Sequence, residues 1–144
     1  MYEYNCKLRR VVDGDTIDVE VDLGFDVWVH ERVRMFGINT PESRTKDLWE
    51  KDLGKAAKTR LLELLPPTFT LKTQKDAKGK FGRILGVVEV EGKNINEQLI
   101  LEGHAVEYHG GSKPNWREIK GVLNEKTNEA KGSRKIHEGI KPRR

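Results

Sequence analysis

Cysteine is almost absent from this chain of 144 residues. Cys6 stands alone, so no intramolecular disulfide can form and nothing points to an oxidising compartment. Packing is its expected role. No apolar stretch approaches the roughly 18 residues that a membrane span requires. The opening "MYEYNCKLRRVVDGD" also lacks the apolar h-region of a secretory leader, so a cytoplasmic chain with no membrane partner is expected. His30, His104, His109 and His137 show neither i,i+4 spacing nor a paired cysteine, which argues against a zinc site. Aromatic residues are scarce at 7%, and hydrophobic and charged residues balance at 35% each, so the core is modest and the surface heavily ionic. Nothing demands more than a monomer.

What the chain does have is positive charge. The net charge is +4, and cations gather after residue 130 as Lys131, Arg134, Lys135, Lys141, Arg143 and Arg144. A polyanionic partner such as DNA or RNA fits that balance. The length suits one domain, placed at 1–133 and followed by a basic tail at 134–144.

The stretch "VVDGDTIDVEV", residues 11–21, sets Asp13 and Asp15 around a glycine at the mouth of a strand. Asp-Gly between apolar stretches is a strong hairpin signal, because the favoured turn needs positive φ at both central residues. It becomes half of a metal site only if charged residues elsewhere in the chain are placed to meet these two. Ile17, Val19 and Val21 alternate with Asp18, Glu20 and Asp22, the period of a half-buried strand. Asp15 shares parity with the apolar set, which aims its carboxylate toward the core, a costly place unless something binds it.

"LGFD" turns the chain, and "VWVHERVRMFGIN", residues 27–39, reads as a long strand whose weak alternation signals a bulge or double coverage. From about Leu48 to Leu65, the residues Trp49, Leu53, Ala57, Leu61 and Leu64 recur at helical spacing until Pro66 and Pro67 stop them. "TFTLKTQ" and "RILGVVEVE" are two further strands joined by the polar loop "KDAKGKFG". Asn94 with Glu97 resembles a capping box that opens a short helix closed by Gly103. A last helix is expected from about Pro114 to Lys131. Three strands, a helix, two strands and two helices make an α+β, mainly β, fold. Five antiparallel strands with a helix between the third and fourth is the plan of a Greek-key OB-fold barrel with about three helices.

"VVDGDT", "VRMFGINTPES", "GKFGR" and "INEQLI" followed by "EGHA" occur in the order and spacing of the staphylococcal nuclease-like (thermonuclease) family. The chain resembles that family over roughly residues 5–109. The stretches "GINTPES" and "GHAVEYHGG" are similar to bacteriophage or mobile-element members. The resemblance implies an OB-fold enzyme that hydrolyses DNA and RNA phosphodiester bonds with one Ca2+. By matching position, Asp15 would be a direct calcium ligand, the Thr40 backbone carbonyl another, and Asp13 would act near the metal through water. Glu42 matches the carboxylate proposed as general base, and Arg34 and Arg83 match the guanidinium groups that hold the scissile phosphate. Tyr108 and His109 lie where the family places aromatic residues lining the nucleotide pocket, with no catalytic role implied for His109.

The chemistry asks for these residue types independently. A phosphodiester repels hydroxide, and its transition state concentrates negative charge on oxygen, so cations must do most of the work. A hard metal ion needs oxygen ligands, and planar arginine forks bridge two phosphate oxygens as lysine cannot. A water attacking phosphorus needs a proton acceptor within hydrogen-bond reach. The bland readings are an Asp13 that stabilises its turn, a Glu42 that follows Pro41 in a turn, and arginines that are exposed strand-end charges.

Two positions depart from the family. Asn39 stands where an aspartate commonly serves as the second anionic calcium ligand, and fewer anionic ligands weaken calcium binding. The outcomes are a nuclease that needs more calcium, a changed metal preference, or a non-catalytic OB-fold module that binds single strands. Retention of Asp15, Glu42 and both arginines favours the first. Phe81 replaces a tyrosine that contacts substrate, which keeps a stacking ring and loses a hydroxyl.

Overall fold

In the computed structural model, which describes residues 2–78 and 84–119, three strands form a meander at the N-terminal end. They are β1 (Tyr2–Asp13), β2 (Thr16–Asp22) and β3 (Trp28–Met35). β2 pairs antiparallel with both neighbours, and its inward residues Ile17 and Val19 meet Val33 and Leu8 across the ladders at Val33↔Ile17 and Leu8↔Val19. The alternation read from the sequence is therefore the pleat of a half-buried sheet. The 27–39 segment is two strands. Gly37, at φ 78°, ends β3 and starts the short β4 (Ile38–Asn39), and this break accounts for the weak alternation.

Helix α1 (Leu48–Leu64) begins at Asp47, whose carboxylate accepts the backbone N–H groups of Trp49 and Glu50. It buries Gly54, Ala57 and Leu61. Strand β5 (Thr68–Lys78) then pairs antiparallel with β1, and β6 (Ile84–Val90) pairs antiparallel with β5. β6 also pairs with β3, in parallel, through Val33↔Ile84, Arg34↔Leu85 and Met35↔Gly86. That pairing closes a five-stranded barrel consistent with the OB fold and corrects the all-antiparallel expectation. Directions cannot alternate all the way round a ring of five, so one pair must be parallel. Ile17, Val19, Val33, Leu71 and Val88 fill the barrel, and Leu61 and Leu99 cap it from the helices.

Short strand β7 (Lys93–Asn94) leads into α2 (Ile95–Leu101), whose N-cap Asn94 accepts the Glu97 N–H at 3.1 Å as the capping pattern predicts. β8 (Val106–Glu107) returns to pair with β4. Residues up to Gly110 form one compact unit, and a second begins at Gly111. Within the second, Asn115 accepts the Glu118 N–H and a helical turn occupies 116–119. The rest of the helix expected to Lys131 lies outside the described residues, as does the basic tail. Among the described residues, no helix is long and apolar enough to cross a membrane.

Cys6 sits in the barrel core at 1% exposure, and burial pushes its thiol pKa up to about 12. The thiolate is the reactive form, so the native protein is expected to react with an aromatic disulfide reagent at pH 8 far more slowly than the urea-unfolded chain. Equal rates in the two states would remove Cys6 from the core.

Candidate active site

The β1–β2 turn consists of Gly14 and Asp15, and neither has positive φ. The hairpin chemistry expected of Asp-Gly is therefore not the reason for the glycine. A Cβ on Gly14 would lie 2.7 Å from the Ala57 Cβ of α1 and 3.0 Å from the Thr40 hydroxyl oxygen. Only glycine allows the helix and the loop after β4 to approach this closely.

That approach buries Asp15 to 8% exposure and surrounds its carboxylate with donors. The Thr16 hydroxyl donates to Oδ1 at 2.9 Å, and the Thr40 backbone N–H donates to Oδ2 at 3.0 Å. Arg34 Nη1 stands 3.3 Å from Oδ2. The Asp15 carbonyl accepts the Met35 N–H at 2.8 Å, which locks the turn to the end of β3. Burying this charge is tolerable because two hydrogen bonds and a cation meet it. Arg34 is no exposed strand-end charge: its side chain is 14% exposed, and Nη1 also donates to the Met35 carbonyl at 3.2 Å.

Residues 39–43 form the other wall. Asn39 is half-buried in β4 opposite Val106, and Thr40 is buried. The Thr40 hydroxyl oxygen has no hydrogen-bond partner among the described residues. Ser43 donates its hydroxyl to Asp13 Oδ1, so Asp13 grips this loop from the end of β1. Glu42 keeps its side chain at the surface while its N–H donates to Glu50 Oε2 at 3.0 Å. Beneath it, a Cβ on Gly54 would fall 2.4 Å from both the carbonyl carbon and the oxygen of Glu42. Helix α1 therefore presses directly on the Glu42–Ser43 peptide.

The structure thus brings Asp15, Arg34 and Thr40 into one bonded cluster, with Asp13 tied to the same loop through Ser43 and Glu42 two residues beyond Thr40. Tyr108 reaches the rim through its backbone, donating N–H to the Gly37 carbonyl at 2.8 Å. The His109 ring packs edge-on against Phe36 at 5.6 Å and lies 3.2 Å from Glu107 Oε1. Arg83 and Phe81 lie outside the described residues, and the strand that follows them begins opposite Val33.

Sequence reasoning missed several supports. Thr16 and Ser43 stand inside the quoted motifs, yet only three dimensions show which carboxylate each hydroxyl serves. Gly54 had a signal, since an isolated glycine within a helical pattern costs stability unless something must come close. Asn96 had none. Its side chain accepts the Val88 N–H and donates to the carbonyls of Phe36 and Gly86, tying α2 to β6 and to the turn after β3. On the outer face, Arg32 forms a two-pronged pair with Asp18 at 2.8 and 3.1 Å, with Arg10 3.6 Å away. The Arg32 hydrogen bond holds the Asp18 carboxyl below its ordinary range.

A family model described as staphylococcal nuclease homologue matches residues 32–136. The chain is 35% identical over 114 residues to Endonuclease YhcR of Bacillus subtilis (strain 168), covering 74% of this chain and 9% of that protein. It is 37% identical over 100 residues to the SPbeta prophage-derived endonuclease YokF of the same organism, covering 68% of this chain and 32% of that one. Against the Thermonuclease of Staphylococcus intermedius, identity is 35% over 99 residues, covering 68% and 56% respectively. The chain spans between about a tenth and just over half the length of these three relatives.

Proposed function

The chain belongs to the staphylococcal nuclease family, and on that premise we propose that it is a calcium-dependent nuclease that hydrolyses phosphodiester bonds of DNA or RNA. The observation that carries this reading is the buried pairing of Asp15 with Arg34, joined by Thr40, at the edge of a loop that presents Glu42 to solvent.

The donor set suits a hard cation. Among the described residues, no group of three or more His, Cys, Asp or Glu side chains gathers as a metal cage. What Asp15 offers is a carboxylate with about four lone-pair sites, of which the Thr16 hydroxyl, the Thr40 N–H and Arg34 engage three. Among the described residues, the buried Thr40 hydroxyl beside it has no partner. Asp15 and the Thr40 carbonyl would hold the ion, with Asn39 as a neutral oxygen donor and Asp13 acting through water. Bound calcium supplies Lewis acidity toward a phosphate oxygen and a water.

This chain's residues supply the rest. Arg34 uses one nitrogen to bond Asp15 and the Met35 carbonyl, leaving the other N–H groups of its fork for the non-bridging oxygens of a phosphate. Arg83 is the second fork in this reading. Negative charge that develops on those oxygens is stabilised by cations already fixed in place, so little reorganisation is needed. Glu42 takes the proton from the attacking water. Phe81 and Tyr108 flank the nucleotide.

Hydrolysis of a single-stranded oligonucleotide across a calcium titration tests the reading. Wild type is expected to cut, and chelator to stop it. The Glu42→Gln protein should lose on the order of 10² or more in rate. Asn39→Asp, which restores an anionic ligand, should lower the calcium concentration for half-maximal rate. A chain that binds the strand without cutting at any calcium level would instead be a non-catalytic single-strand-binding module.

A further inference from the structure

One cavity of the barrel takes no part in the chemistry above. It has a volume of about 300 Å³, opens to solvent, and is lined by Tyr4, Val21, Val29 and Leu71 with Glu31 and Thr73 as polar members. Glu31 belongs to the inward set of β3. Val29, Glu31, Val33 and Met35 are each more buried than the outward residue before them. A carboxylate therefore occupies a position where the pattern of the strand calls for an apolar side chain. Glu31 makes no hydrogen bond or ion pair among the described residues, whereas Asp15 and Asp18 each make several.

A half-buried carboxylate over apolar walls has a specific demand. It repels phosphate and needs N–H donors, and its two oxygens lie side by side to accept two adjacent ones. The apolar walls and the Tyr4 ring favour a flat, weakly hydrated partner. The volume stands at the lower end of small-ligand sites, too small for a folded partner. Among nucleobases, only guanine presents two adjacent donors, N1–H and N2–H, on its Watson–Crick edge. Adenine and cytosine each set a ring acceptor beside a single amino donor, and thymine flanks one donor with two acceptors.

We infer that this cavity is a guanine-binding subsite, with Glu31 accepting from N1–H and N2–H, and Tyr4 packing on the ring. The inference rests on the nuclease reading for its purpose. Glu31 and Arg34 share β3, Glu31 in its inward set and Arg34 in its outward one. The subsite would bias cleavage toward strands that carry a guanine.

Titrating free guanosine, inosine and adenosine into the protein, followed by backbone amide NMR, tests this without metal or turnover. A chain that fails to cut nucleic acid therefore still answers the question. Guanosine should shift the amides of Val29, Leu71 and Thr73 saturably and bind roughly tenfold tighter than inosine, which lacks the N2 amine, and than adenosine. Glu31→Gln, nearly isosteric but with a donor in place of one acceptor, should lose about tenfold in guanosine affinity. Tyr4→Leu should weaken all three nucleosides together. Equal affinities for the three, shifts confined to other surfaces, or a Glu31→Gln protein that matches wild type would overturn the assignment.

Discussion

Arg34→Lys is expected to lower kcat/KM for single-strand hydrolysis by roughly 10²–10³-fold, the loss typical of removing one preorganised transition-state donor. The substitution keeps the charge and removes the fork. Arg34 is only 14% exposed, and its Nη1 lies 3.3 Å from Asp15 and 3.2 Å from the Met35 carbonyl. An ammonium group in that space can still neutralise Asp15, so the buried carboxylate is not left unpaired and the fold should survive. What lysine cannot do is bond Asp15 and present two parallel N–H groups to a phosphate at once. The effect should fall mainly on kcat, because the transition state bears more charge on the oxygens than the ground state. Steady-state kinetics beside a thermal melt checks both halves. Activity within tenfold of wild type would make Arg34 merely the counter-ion of Asp15.

Gly54→Ala should both destabilise the protein and disable it, although alanine is the better helix former. In an exposed helix interior the exchange gains about 1 kcal/mol. Here the new Cβ would stand 2.4 Å from two backbone atoms of Glu42 and 2.6 Å from the Ser43 nitrogen. Carbon atoms rest about 3.5–4.0 Å apart, so helix or loop must move by more than an ångström. Overpacking of this kind costs roughly 1–3 kcal/mol, and backbone atoms give way less readily than side-chain tips. We expect a net loss of about 2 kcal/mol in urea unfolding. The same movement pulls on the Glu42–Glu50 and Ser43–Asp13 hydrogen bonds that set the loop. A displacement of about 1 Å at a proton acceptor can cost 10²-fold in rate, so kcat should fall further than the stability loss explains. A variant that is more stable and fully active would show that the loop does not rest on α1.

The elements were legible because each carries a local period. Ile17, Val19 and Val21 mark a strand, Ala57 and Leu61 a helix face, and Asn94 with Glu97 a cap, and all three stand as expected. The parity of Asp15 with the apolar set placed its carboxylate inward, where the structure has it. The parallel β3–β6 pair was not legible, since strand direction follows from how five strands close rather than from any one of them.

By itself, the sequence determined the kind and order of the main elements and the family. These properties are local or come in linear order. Only the tertiary structure decided why Gly14 and Gly54 are glycines, that Ser43 serves Asp13 and Thr16 serves Asp15, and that Glu31 faces a cavity. Each depends on the approach of segments far apart along the chain. Close approach is set by packing, and periodicity within one segment carries no record of it.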